Sequence, residues 1–475
     1  MSAPTDRPDA SPKHQAAPTR DTEPATTGGQ HSKALVVLVI AVVVMAVLPD
    51  LVDYLNVKHA PATVQLRPRF PLAVVVTRVA SIALFLVCSV IALRRGHPDR
   101  NISGAVLLLS ALIVPFIFNP ELPGLADIAR IALAAVVILA VWNIGASVDG
   151  LRWVAITGSF IGVYSIIGVL IIPDYMNFES DSRKSLIENW QLAGPFAHSN
   201  TLGAYCVLAL ALTPLIVSVR WKLFHGLILC TAIAASASRT ALIAAGVLAL
   251  WWIFCRFRSV IALRRAGTVL IGACAAVVLV LPVFLSSNPS AITGRGYAWA
   301  TSLSAWQESR LVGLGLNWFA TTRTSLANST SWAFPTGHNL FVDTLVRSGL
   351  VGIVLLALVL LAATRATRAL EDSNHQIACF GFIIAFLVVS TTEAIWGLLP
   401  NMALFPVVGL VFAVLIVARH GVHAGSERMA TPYQTFLPRA SFPPTHVGRR
   451  THPPTGYPIG RHEPPQTKPV ESSPA

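Results

Sequence analysis

Residues Gly267–Leu285 read GTVLIGACAAVVLVLPVFL, a stretch without a single charged side chain. A helix rises about 1.5 Å per residue, so roughly 20 residues cover a hydrocarbon core of about 30 Å. This segment is therefore a membrane span, and similar apolar runs recur along the chain. Before it come Ala34–Pro49, Leu72–Leu93, Ile102–Phe118, Ile128–Gly145, Trp153–Ile172, Thr201–Val219, Leu223–Ser238 and Thr240–Cys255. After it come Leu345–Ala363, Ile377–Leu399 and Met402–Val417. The runs do not alternate polar and apolar, which argues against a barrel. With 54% hydrophobic and 12% charged residues, the expected fold is an all-α, polytopic helical membrane bundle of about 12 spans.

The formal charge of +13 does not collect into a nucleic-acid patch. Basic residues sit in short connectors: Arg94, Arg95 and Arg100; Arg220 and Lys222; Arg256, Arg258, Arg264 and Arg265; Arg365 and Arg368. Such connectors lie on the cytoplasmic side. The connectors Asn119–Asp127 and Pro400–Asn401 carry no Lys or Arg and fall outside. The alternation places both termini in the cytoplasm and excludes a nucleic-acid partner in favour of membrane lipids. All six cysteines fall within or at the end of apolar runs, without Cys-x-x-Cys, and read as small core hydrophobes.

Residues 1–33 are polar, Pro- and Thr-rich, and read as a disordered cytoplasmic tail leading into a signal-anchor span. The tail 419–475 is basic, with Pro443-Pro444, Pro453-Pro454 and Pro464-Pro465 favouring extended chain. It is either a dock for a partner or anionic lipid, or a solvated tail without a specific role. Between the tails, 34–418 forms the transmembrane bundle.

The polar stretch 286–349 that follows Leu285 is the most informative part of that bundle. It is expected to form one large external loop, and loops of that length are functional or disordered. Trp299, Leu303 and Trp306 recur in it at helical spacing, which suits a short interfacial helix or ordinary packing on neighbouring spans. His338 follows Gly337 and precedes Asn339; a neutral imidazole can accept a proton from a sugar hydroxyl. His198, in the other long external stretch, is the rival base. Arg239 at a span end and Arg295 early in the loop suit a diphosphate, because the guanidinium fork binds phosphate oxygens bidentately. Arg78 and Arg130 lie inside spans, where charge marks function or snorkels to the interface. Asp50 and Asp53 could serve a metal-dependent transferase, with helix-end capping as the other reading. No nucleotide-cradling loop or zinc cluster is visible, so no cofactor and no metal is expected.

Together these residues resemble the O-antigen ligase and O-antigen polymerase superfamily of bacterial membrane proteins. The resemblance covers about 190–352. It rests on His338-Asn339 with Gly349-Leu350-Val351-Gly352, on Gly294-Arg295 with Trp299, on Ser238-Arg239-Thr240, and on Gly194-Pro195-Phe196 with Asn200. It implies a glycosyltransferase of the bacterial inner membrane that moves a glycan from an undecaprenyl-diphosphate carrier to a glycan, lipid or protein acceptor at the outer face. His338 would then be the base, and Arg239 and Arg295 would hold the donor diphosphate. Asn339, Trp299, Arg78 and His198 are supporting candidates. A lipid-linked glycan flippase or other transporter is the alternative; its expected sign, two related halves, is not seen.

Overall fold

The structure is a computed structural model that describes residues 27–54, 70–93, 101–118, 124–179, 190–321, 336–396 and 403–418. The chain divides into two units, Met1–Gly421 and Val422–Ala475; the second lies outside the described residues. So do 1–26 and most of the loop after Asp53, along with the readings made there. In the first unit the helices are α1 Thr27–Tyr54, α2 Pro71–Leu93, α3 Ile102–Ile117, α4 Leu125–Ile144, α5 Arg152–Ile171 and the short α6 Pro173–Met176. They continue with α7 Ser199–Ala211, α8 Val219–Ala235, α9 Arg239–Arg256, α10 Val260–Leu285 and α11 Ala291–Trp306. The last are α12 Leu340–Ala369, α13 Ser373–Ser390 and α14 Gly409–Val417.

Among the described residues, seven helices are long and apolar enough to cross a membrane, and three shorter apolar helices accompany them. This is a multi-pass helical membrane protein. The helix faces distinguish the centre from the rim. On α2 the side chains of Leu72, Val75, Val79, Ile82, Leu86 and Val90 form an exposed stripe, an arrangement stable against lipid tails but not against water. By contrast α7, α13 and α14 are buried almost all round, as expected of helices apolar on every face. Phe382, Phe386, Trp396 and Phe412 pack edge to face there, with centroids 5.1–6.2 Å apart for the Phe386–Phe412 and Phe386–Trp396 pairs.

The helix ends are set by side-chain caps. Asn101 accepts the Gly104 N–H at 2.9 Å while its amide donates to the Ile416 carbonyl at 2.9 Å, tying α3 to α14. Asp372 accepts from the Asn374 and His375 N–H groups at 2.6 and 3.1 Å and so starts α13. At that end of α13, His375 bonds Asp149 at 2.8 Å and Arg264 donates to the Leu370 carbonyl at 3.0 Å. The other end lies about 27 Å away along the helix. There the candidate site assembles.

The all-α bundle has one addition: Asn177–Glu179 and Trp190–Leu192 pair as a two-stranded antiparallel ribbon, Asn177 opposite Leu192. Two further details differ from the sequence reading. The polar stretch 286–349 is not an open loop throughout, since α11 fills 291–306 and α12 already starts at Leu340. The run Ile377–Leu399 is not one helix. α13 stops at Ser390, and just beyond it the Asn339 side chain takes the Thr391 carbonyl. The Trp299 stripe resolves in favour of packing. Trp299 is fully buried with Phe319, Val342 and Val346, and Leu303 and Trp306 lie against that cluster.

Candidate functional site

The short segment Thr391-Thr392-Glu393, just past α13, is where separated parts of the chain meet. Asn339 donates its amide to the Thr391 carbonyl at 3.0 Å and to the Val278 carbonyl at 2.9 Å. The hydroxyls of Thr240 and Thr392 lie 2.5 Å apart. Glu393 Oε1 accepts from Arg295 Nη2 at 2.5 Å and from Asn200 Nδ2 at 2.8 Å. The Arg295 and Glu393 side chains are only 13% and 16% exposed, which makes this a largely desolvated, charge-assisted contact. One tripeptide thus draws in Asn200, Thr240, Arg295 and Asn339, a member of every motif recognised in the sequence.

His338 stands beside this knot, at a turn with unusual backbone. Its φ is +47°, in the left-handed region that non-glycine residues rarely enter. Its N–H donates to the Thr336 hydroxyl at 3.3 Å. Next to it Asn339 is the N-cap of α12, its carbonyl oxygen accepting from the Val342 N–H at 3.0 Å. Trp299 Nε1 donates to the Gly337 carbonyl at 3.0 Å. The aromatic of the Gly-Arg-x-x-x-Trp element therefore holds the residue next to the histidine.

The first glycine of the Gly-x-x-Gly signature, Gly349, has a backbone explanation. α12 breaks at Gly349, whose φ is +59°. The segment 310–315 docks across the break. Leu314 and Gly315 donate to the Val346 and Arg347 carbonyls at 2.6 and 3.2 Å, and Leu350 and Val351 donate to the Arg310 and Leu311 carbonyls at 3.0 Å. A Cβ at Gly349 would overlap the Leu311 carbonyl. Only a residue without a side chain lets the two backbones touch.

The other candidates fall differently. Arg239 is the first residue of α9, directly before Thr240; it is exposed and without an ion-pair partner among the described residues. His198 caps α7, Nδ1 accepting the Asn200 N–H at 3.0 Å, with its ring 4.5 Å from that of Phe178. Its neighbour Asn200 reaches Glu393, so His198 borders the site in a capping role. Arg78 is exposed on the rim helix α2, and nothing described brings it to the knot. Arg130 lies 3.5 Å from Asp127 at the exposed start of α4. Asp50 and Asp53 fall at the end of α1.

The decisive comparison covers the middle of this arrangement. Residues 224–357 match the O-antigen ligase family. That part of the chain is accordingly similar to the O-antigen ligase domain, as the sequence motifs led us to expect. No curated protein matches the chain. The matched region runs from α8 through the break in α12, and it includes Arg239, Arg295, Trp299, His338, Asn339, Gly349 and Gly352.

Glu393 and Asn200 lie outside it, and Glu393 was missed in the sequence as well. Its signal was present: an acid inside an apolar run is a functional candidate by default. Reading 377–399 as one uninterrupted span hid it.

Proposed function

We propose that the protein transfers a glycan from an undecaprenyl-diphosphate carrier to an acceptor at the outer face of the bacterial inner membrane. The observation that carries this reading is the convergence of Asn200, Thr240, Arg295 and Asn339 on Thr391–Glu393. It supports a single reaction centre built from both long external segments and two span ends. In this reading His338 takes the proton of the acceptor hydroxyl as that oxygen bonds the anomeric carbon of the donor sugar. The bond from that carbon to the diphosphate oxygen breaks, and the electron pair leaves with the diphosphate. Arg239 and Arg295 meet the charge that builds there, which is where fixed cations lower a barrier most. Glu393 neutralises Arg295 while the donor is absent, so a diphosphate competes with a carboxylate for that guanidinium.

The test is turnover in the purified, membrane-reconstituted chain with a polyprenyl-diphosphate-linked saccharide. His338→Ala removes the proposed base and is expected to lower kcat by roughly 10²–10⁴-fold. His198→Ala removes a cap and is expected to cost far less. A reversed ranking overturns the assignment of the base.

A further inference from the structure

We propose that Asp343 is a positioning residue for His338, acting with Trp299 as a two-sided clamp on Gly337, the residue that precedes the histidine. This rests on the reading of His338 as the base. Asp343 lies in the first turn of α12 and is 6% exposed. Its Oδ1 accepts the Gly337 N–H at 3.0 Å. From the other side Trp299 Nε1 donates to the Gly337 carbonyl at 3.0 Å. Both polar groups of Gly337 are thus held by side chains from two different helices.

The carboxylate is itself held. Asp343 Oδ2 accepts from Arg347 Nε at 2.9 Å, one helical turn on. The Arg347 guanidinium also donates to the Leu316 carbonyl and lies 5.0 Å from the Phe319 ring centroid. Leu316 and Phe319 follow the segment 310–315 that docks into the break of α12. The clamp is therefore anchored in the same crossing that the signature glycines permit.

The consequence falls on His338, whose φ of +47° is one that few non-glycine residues adopt. Fixing the carbonyl and N–H of Gly337 fixes the direction in which the chain enters His338. Gly337 has no room for change either: a Cβ there would lie 2.7 Å from the Asp343 backbone nitrogen. Released from the clamp, the turn relaxes toward negative φ and carries the imidazole off line. A displacement of about 1 Å at a reacting group can cost about 100-fold in rate. Donor binding, assigned to Arg239 and Arg295, is untouched.

The experiment uses the full chain in lipid nanodiscs with a polyprenyl-diphosphate-linked saccharide as donor. It reads kcat and donor KM, and separately the backbone hydrogen exchange of residues 336–339. Asp343→Ala and Trp299→Phe are each expected to lower kcat about 10–100-fold with donor KM changed less than about twofold. Both should speed exchange at those amides by at least about tenfold. Asp343→Asn keeps an oxygen for the Gly337 N–H and is expected to restore most of the rate. Loss of kcat without faster exchange would overturn the clamp, because Asp343 would then act on the reaction directly. Normal kcat in both variants would overturn it too. Should His338→Ala retain turnover, the base assignment fails, and the exchange of Asp343→Ala and Trp299→Phe still decides whether the clamp exists.

Discussion

Removing the Glu393 carboxylate tests the knot most directly. In Glu393→Ala, Arg295 keeps its charge in a setting where only 13% of its side chain meets solvent. Breaking a buried pair from one side costs about 3–5 kcal/mol, and the residual exposure places this case near 3. The Asn200 amide also loses its acceptor, for about 1 kcal/mol more. The sum is about 4 kcal/mol. Glu393→Gln keeps an oxygen for both donors but removes the negative charge that faces the Arg295 guanidinium, a loss of about 1–1.5 kcal/mol. In a bundle of this size each kcal/mol moves Tm by no more than about 2–4 °C. Thermal unfolding in nanodiscs is therefore expected to fall by up to roughly 8–16 °C for Ala and 2–6 °C for Gln. The double variant Arg295→Met with Glu393→Leu fills the space with apolar atoms and is expected to recover most of the Tm. Its turnover should stay lost, because the diphosphate has lost a guanidinium. Glu393→Ala unfolding within about 1 °C of the unaltered chain would refute the reasoning, as would additive Tm losses for Arg295→Ala and Glu393→Ala.

Arg239, exposed at the start of α9, is expected to bind diphosphate through its fork, so Arg239→Lys should raise donor KM and Arg239→Ala should raise it further without altering Tm. Equal KM for Lys and the unaltered residue would remove Arg239 from the donor site. Gly349→Ala puts a methyl group onto the Leu311 carbonyl at a positive φ, and should destabilise by about 1–3 kcal/mol and abolish turnover. A fully active Gly349→Ala chain would mean that the crossing with 310–315 has no part in the site. Cysteines placed at Ser309 and Ser259 in a cysteine-free chain should label from outside and only after permeabilisation, respectively; equal labelling would overturn the orientation.

The sequence alone determined the class of molecule. Apolar runs of span length and basic connectors are local properties, and a bilayer reads them locally, so a helical membrane bundle was legible without any contact being known. His338, Asn339, Arg239 and Arg295 could be singled out as candidates as well, because their chemistry and spacing form a recognisable pattern along the chain. What joins them was not. Glu393 stands 98 residues from Arg295 and 193 from Asn200, and nothing along the chain announces that they meet. Just past the end of α13 at Ser390 the Asn339 amide takes the Thr391 carbonyl, a tertiary hydrogen bond in place of a helical one that a hydropathy run cannot express. Trp299 could have faced lipid or core until the neighbours Phe319, Val342 and Val346 enclosed it. The signature glycines were visible as letters, but their purpose, a backbone passing through the break at Gly349, exists only once 310–315 has folded against it. Local chemistry chooses the parts, and long-range packing decides which of them touch.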